Sequence, residues 1–162
     1  MSTLNDFLMV AATVASGLSA GVFYTFQVSI VRALAEVDDT TYVATFQSIN
    51  RTIVNPWFVS VFLGAPVLAG AALALHWGAD RSLVTTIAIG LAMQVASVAI
   101  TVAGNIPLNE ALDREGVVAG AAATAARTAF EGSWSRLHLA RTVASVGSFV
   151  AFGIASVLAA RS

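Results

Sequence analysis

Cysteine and lysine are both absent from this 162-residue chain, proline occurs three times, and charged residues make up only 10% of it. Without cysteine there is no disulfide framework, no thiolate metal site and no thiol nucleophile, whatever the redox compartment. The scarcity of charge argues against a soluble domain, which carries about a quarter charged residues. A formal net charge of −1 with no basic patch or stripe also argues against nucleic acid as a partner. Every basic side chain is arginine. That choice suits interfacial and buried ion pairs, because guanidinium is weakly hydrated, although a GC-rich coding sequence explains it equally well.

What is abundant is apolar: 57% of the residues, gathered in long runs without a polar face. A bilayer core about 30 Å thick takes roughly 20 helical residues to cross. Four segments reach that length: Phe7 to Val31, Trp57 to Leu75, Leu83 to Gly104 and Leu137 to Ala160. The pattern predicts an all-α integral membrane protein, an up-down four-helix bundle forming a single transmembrane domain over residues 1–162 with the lipid bilayer as its partner. The first run carries Asp6 and lacks a basic leader region and an obvious cleavage site, so it reads as a retained span. Within it, Gly17 and Gly21 stand at small-xxx-small spacing, which lets another helix approach and leaves a homo-oligomer open. Pro66 predicts a bend in the second span.

The connections differ in length. Asp39 to Asn55 reads as a short amphipathic helix at the membrane surface, capped by Asp38 or Asp39 and stopped before Pro56. Val43, Phe46, Ile53 and Val54 form its apolar side, with Gln47, Asn50 and Arg51 on the other. His76 to Ser82 is brief, which makes spans two and three antiparallel neighbours and leaves His76 as an exposed loop residue. Asn105 to Arg136 is long, charged and Ala-rich, a helical third loop. The first and third connections share one side of the membrane. Arg32, Arg51, Arg114, Arg127 and Arg136 lie there against Arg81 and Arg161 opposite, which favours cytoplasmic loops.

An amide or ionisable group at membrane depth is costly unless it is paired or working, and these groups cluster. Tyr24 and Gln27 end the first span, Gln47, Asn50, Arg51 and Asn55 follow, Asn105 and Asn109 close the third span, and Trp134, His138 and Arg141 open the fourth. Topology places all of them near one leaflet. Trp134, His138 and Arg141 share one helix face, as do Asn105 and Asn109, with Pro107 between the two asparagines predicted to break regular helix. The group has the make-up of a polar pocket floor under an apolar chamber. Plainer roles remain open: Gln47 and Asn105 as ties between helices, Trp57 and Trp77 as aromatic-belt residues, and Arg141 as the partner of an acid such as Glu110. Metal ligands are too few for the usual sites, since His138 is the only imidazole near the cluster. No cofactor is predicted, and a haem, metal or quinone is not excluded.

The runs GLSAGVFYTFQVSIVRAL, FQSINRTIVNPWF, GNIPLNEAL and WSRLHLART resemble, in order and spacing, the anthrone oxygenase family of four-span membrane proteins, from Gly17 to about Thr142. INRTIVNP and NIPLNEAL are the most specific parts. The resemblance implies a membrane-embedded oxidoreductase, a monooxygenase acting with O2 on a lipophilic aromatic small molecule of the anthrone or polyketide type, here in a bacterial-type cell membrane. The family more often has asparagine where this chain has His138, in a W-x-x-x-N-x-x-R segment, while Trp134, Arg141 and the asparagines match. On this reading His138, Arg141, Asn105 and Asn109 are catalytic, and Tyr24, Gln27, Phe46, Gln47, Asn50 and Trp134 bind substrate. His138 takes a proton, Arg141 with Asn105 or Asn109 holds an oxyanion, and Phe23, Phe26, Phe46 and Trp134 enclose the rings. The alternative is a non-catalytic membrane protein that binds a lipophilic ligand or a partner helix with the same amides. In either case the protein should sediment with membranes and leave them only in detergent; a monodisperse aqueous species obtained without detergent would refute the bilayer assignment.

Overall fold

In the computed structural model residues 3–161 are described, and every regular element among them is helical. Five helices follow in chain order: α1 (Thr3–Ala35), α2 (Asp39–Ile53), α3 (Pro56–Leu75), α4 (Arg81–Arg114) and α5 (Ala121–Ala159). All but α2 are long and apolar enough to cross a membrane, and the chain is a multi-pass four-helix bundle. Contacts join α1 to α3, α3 to α4, α4 to α5 and α5 to α1, a closed square of sequential antiparallel neighbours.

Local chemistry sets the boundaries. Asp38 caps α2, its carboxylate accepting from the Thr41 amide at 3.0 Å and the Thr41 hydroxyl at 2.6 Å. Asn55 caps α3 by accepting from Phe58 N, with Pro56 in the first turn where its missing N–H costs nothing. Asp80 caps α4 through Ser82. Those side-chain hydrogen bonds hold the Asp38 and Asp80 carboxyls below the usual carboxylate range, so both caps are intact at neutral pH and are lost only as pH falls through the lowered values.

The long third connection is helical, as its composition predicts: α4 continues to Arg114, a turn occupies residues 115–120, and the alanine-rich run forms the first turns of α5. Alanine's helix propensity drives that extension. Gly116 and Gly120 take φ of +64° and +56° in the turn, a left-handed conformation that glycine adopts without strain. Pro107 marks an interruption of the regular helix without ending it. The widened π turn Thr101–Asn105 precedes it and absorbs the ring that would crowd a regular turn. Helix α3 runs through Pro66.

The short helix α2 packs on the bundle with a face that differs from its expected apolar side. Tyr42, Val43, Phe46 and Gln47 are buried against α4 and α5 while Val54 is exposed, so Gln47 lies on the packed face and Val54 does not. Burial pushes the Tyr42 phenol well above its ordinary value, with Glu131 adding to the effect, which keeps it neutral beneath the Arg127 guanidinium. His76 is also buried, 2% exposed, its Nδ1 reaching back to the Ala72 carbonyl at 2.8 Å, which also accepts the His76 backbone N–H at the end of α3. Trp57 and Trp77 stand exposed at the two ends of α3.

Two apolar layers close the bundle. One is aliphatic, around Met9, Ala69, Leu83, Ile87 and Phe152. The other is aromatic, around Tyr42, Phe46, Phe130 and Trp134. Glycines let side chains of the neighbouring helix sit against backbone: Gly17 faces the Phe149 ring and Gly90 faces Phe152. Gly21, its expected partner in a helix-helix motif, faces open space. A Cβ at Gly90 would lie 2.8 Å from the Phe152 ring, which is fully buried and has nowhere to go. Gly90→Ala should therefore destabilise the protein by about 1–3 kcal/mol as an overpacked core does, while Gly21→Ala should leave stability unchanged or slightly raised; thermal unfolding in detergent separates the two.

Candidate functional site

The buried polar residues gather between the aliphatic and aromatic layers. On α5, Trp134, His138 and Arg141 present one face, as their spacing requires, and all three are less than a tenth exposed. The Trp134 indole stacks on the His138 ring with centroids 4.7 Å apart. Its Nε1 donates to Asn109 Oδ1 at 2.7 Å, and its backbone carbonyl accepts from Asn105 Nδ2 at 3.2 Å. Both asparagines of α4 thus hold the same tryptophan, which in turn holds the imidazole.

Each wall carries a π turn. In α4 it is Thr101–Asn105 and in α1 it is Phe26–Ile30, and π turns collect at functional sites because they re-aim side chains within a helix. The one in α1 opens at Phe26, whose ring lies 5.2 Å from His138, 5.6 Å from Trp134 and 6.1 Å from Phe46. Phe23, one turn earlier, meets His138 edge-on. The imidazole is enclosed by rings and 0% exposed.

Among the described residues Arg141 has no acidic partner. Its Nε donates to His138 Nδ1 at 3.1 Å and Nη1 to Thr101 Oγ1 at 3.3 Å, and the guanidinium lies over the Phe23 and Trp134 rings at 4.6 and 5.3 Å. Among the described residues the ion pairs are Arg51–Asp113, Arg127–Asp39 and Arg127–Glu131. The Arg141–Glu110 pair weighed from sequence is not formed. A cation at this depth is held by neutral dipoles and π faces alone, which leaves it strongly attractive to an anion.

The contact with Arg141 also fixes the imidazole. A guanidinium only donates, so Nδ1 accepts and the proton of the neutral ring sits on Nε2. Nε2 has no partner at hydrogen-bond distance, the Phe23 backbone lying close without closing a bond. Three further buried atoms at this end are unpaired: Asn105 Oδ1, Asn50 Nδ2 and Gln27 Oε1. They come from α4, α2 and α1 and are unused donors and acceptors of the kind a ligand satisfies.

The remaining expected residues fall into three places. Gln47 clamps the α4–α5 turn, its Nε2 donating to the carbonyls of Leu112 and Gly116, the helix-tying role. Phe46 lies 4.7 Å from the Trp134 ring, within the aromatic layer. Tyr24 is 56% exposed on the outer side of α1, away from the cluster. Thr101 was missed by sequence reasoning, as were Gln94 and Ser97 below it. Their spacing with Asn105 is the signal, since residues 94, 97, 101 and 105 repeat at three and four along one helix face. Among the described residues, no three His, Cys, Asp or Glu side chains come together as a metal site would require.

Fold and site together define a polytopic helical membrane protein with an unneutralised cation, an imidazole and amides enclosed by aromatic rings. The family model described as anthrone oxygenase matches residues 7–151, and the chain belongs to that family, which carries an oxygenase-like kind of function. Searches of curated proteins and of solved structures find no match. Because Arg141 contributes an uncompensated buried charge, Arg141→Leu should leave thermal stability unchanged or raise it, in contrast to the usual loss on altering a core side chain; a markedly lowered midpoint would show that the guanidinium serves the fold.

Proposed function

We propose that the protein oxidises a lipophilic aromatic of the anthrone type with O2 inside the bundle. The observation that carries this reading is the buried Arg141 guanidinium, with no carboxylate to neutralise it and a hydrogen bond to His138. Such a cation stabilises an oxyanion far better in a dry site than in water. Family membership supplies the oxygenase context.

The chemistry balances without further reactants. An anthrone loses one proton from its central methylene, and the charge moves to the carbonyl oxygen, where Arg141 meets it. The electron-rich carbon gives its electrons to O2, forming a C–O bond and a peroxide that takes up a proton. Loss of the second methylene proton with cleavage of the O–O bond gives the quinone carbonyl and one water. Dissolved O2 and flat rings both partition into the bilayer, and Phe23, Phe26, Phe46 and Trp134 offer ring faces and edges to a planar ligand.

His138 enters as the base by a specific route. In the resting site its Nδ1 lone pair is covered by Arg141. When the guanidinium turns to the substrate oxygen, that lone pair is uncovered and accepts the methylene proton, so oxyanion binding and base activation are one event. Asn105 Oδ1 and His138 Nε2–H are left to bind hydroxyl or carbonyl groups.

Oxygen uptake by the purified protein with dithranol tests the reading. Arg141→Leu should lower turnover by about 10²–10³-fold, as loss of an oxyanion donor does, and His138→Ala by about 10²–10⁴-fold. His138→Asn keeps a donor without a base; full activity in that variant would reassign His138 to hydrogen bonding, and full activity in both His138 variants would remove it from the chemistry. Saturable binding of dithranol with no oxygen uptake by the wild-type protein would make it a carrier and overturn the oxygenase reading.

A further inference from the structure

Deeper in the bundle lies a second group of unpaired polar atoms that the proposed chemistry does not use. Gln94 on α4 is 0% exposed and neither its Oε1 nor its Nε2 has a partner; Ser16 Oγ on α1 is likewise buried and unpaired. The two lie at one level. Gly17 faces Phe149, Gly147 faces Met93, and Ser148 donates to the Gly90 carbonyl at 2.8 Å, which aligns residues 16–17, 90–94 and 147–149. Nearby hydroxyls are already committed, Ser97 to Ser145 at 2.7 Å and Ser148 to Gly90. An unsatisfied primary amide in a membrane interior is costly, and apolar residues of the same shape would fill the position without that cost.

Gln94 is also continuous with the site above it. With Ser97, Thr101 and Asn105 it forms one polar face of α4, and Thr101 receives the Arg141 hydrogen bond. Below Gln94 the polar face stops, because Phe152 covers Gly90 and the aliphatic layer begins. Gln94 stands seven positions from Thr101, a helix rise of about 10 Å, within which an oxygen on the central ring of a three-ring aromatic and one on an outer ring can both fit.

We propose that Gln94, with Ser16, forms the distal end of the substrate site and takes a neutral hydroxyl or carbonyl on an outer ring of an aromatic whose acidic oxygen lies at Arg141. The proposal rests on the oxygenase reading above and narrows its substrate to planar aromatics oxygenated on the central ring and on one outer ring. The amide supplies a donor and an acceptor, so it accommodates either group.

The test compares binding of anthraquinone and 2-(hydroxymethyl)anthraquinone to the detergent-solubilised full chain, followed by quenching of tryptophan fluorescence. Wild-type protein should bind the hydroxymethyl compound about three- to tenfold more tightly, the range of one neutral hydrogen bond. Gln94→Met, which keeps length and volume, should erase that preference while leaving anthraquinone affinity unchanged; the retained affinity is the control for folding. Equal affinities in the wild type, or a preference that survives Gln94→Met, would overturn the distal site and mark Gln94 as hydrated. Dithranol turnover alongside such a result leaves the oxygenase reading standing, whereas absence of binding to either probe together with absence of turnover removes both.

Discussion

A guanidinium without a counter-charge at membrane depth is the constraint around which this protein is arranged. Burying an arginine inside a spanning bundle is costly, and a carboxylate partner would offset it. Here the compensation comes instead from an imidazole lone pair, a threonine hydroxyl and two aromatic faces. Each is neutral, so the positive potential persists. Nearly everything else at that end of the bundle follows from holding those neutral partners in place: Asn109 fixes the Trp134 indole, Asn105 ties to the Trp134 backbone, and Trp134 stacks on His138.

The layering explains how so polar a group survives in a chain with so little charge. An aromatic layer seals it toward α2, and an aliphatic layer seals the opposite end. Burial between them lowers the local dielectric, which strengthens the electrostatic interactions inside. The other charged side chains engaged in ion pairs, Arg51, Arg127, Asp39, Asp113 and Glu131, belong to α2 and to the extensions of α4 and α5, where they brace the cap of the bundle. Arg127 illustrates the contrast. It spends its donors on Asp39, Glu131 and two backbone carbonyls, a saturated structural role that Arg141 does not share.

Two helices widen into π turns beside the site, each at the level where an aromatic or amide side chain must enter it. Pro107 gives a chemical cause for the turn in α4. The turn in α1 has no proline or glycine within it, and its cause is tertiary: Phe26 is drawn toward the rings of α2 and α5. Phe26 also borders an open groove on α1 lined by Gly17, Leu18, Gly21, Val22 and Thr25, so the same ring meets that groove and the imidazole.

Hydropathy by itself determined the four spans, their alternating direction and the end of the bundle at which the polar residues meet, because segment length and solvent leave little choice to an apolar helix. Periodicity put Trp134, His138 and Arg141 on one face, since that follows from helical geometry within one element. Spacing could not decide whether Arg141 would find Glu110, which way Tyr24 would turn, or that Gln47 would clamp a turn and His76 fold back onto its helix end. Those outcomes depend on the rotation of each helix about its own axis. That rotation is set by glycines meeting aromatic rings on neighbouring helices and by π turns that shift the register, and only packing the four helices together resolves it.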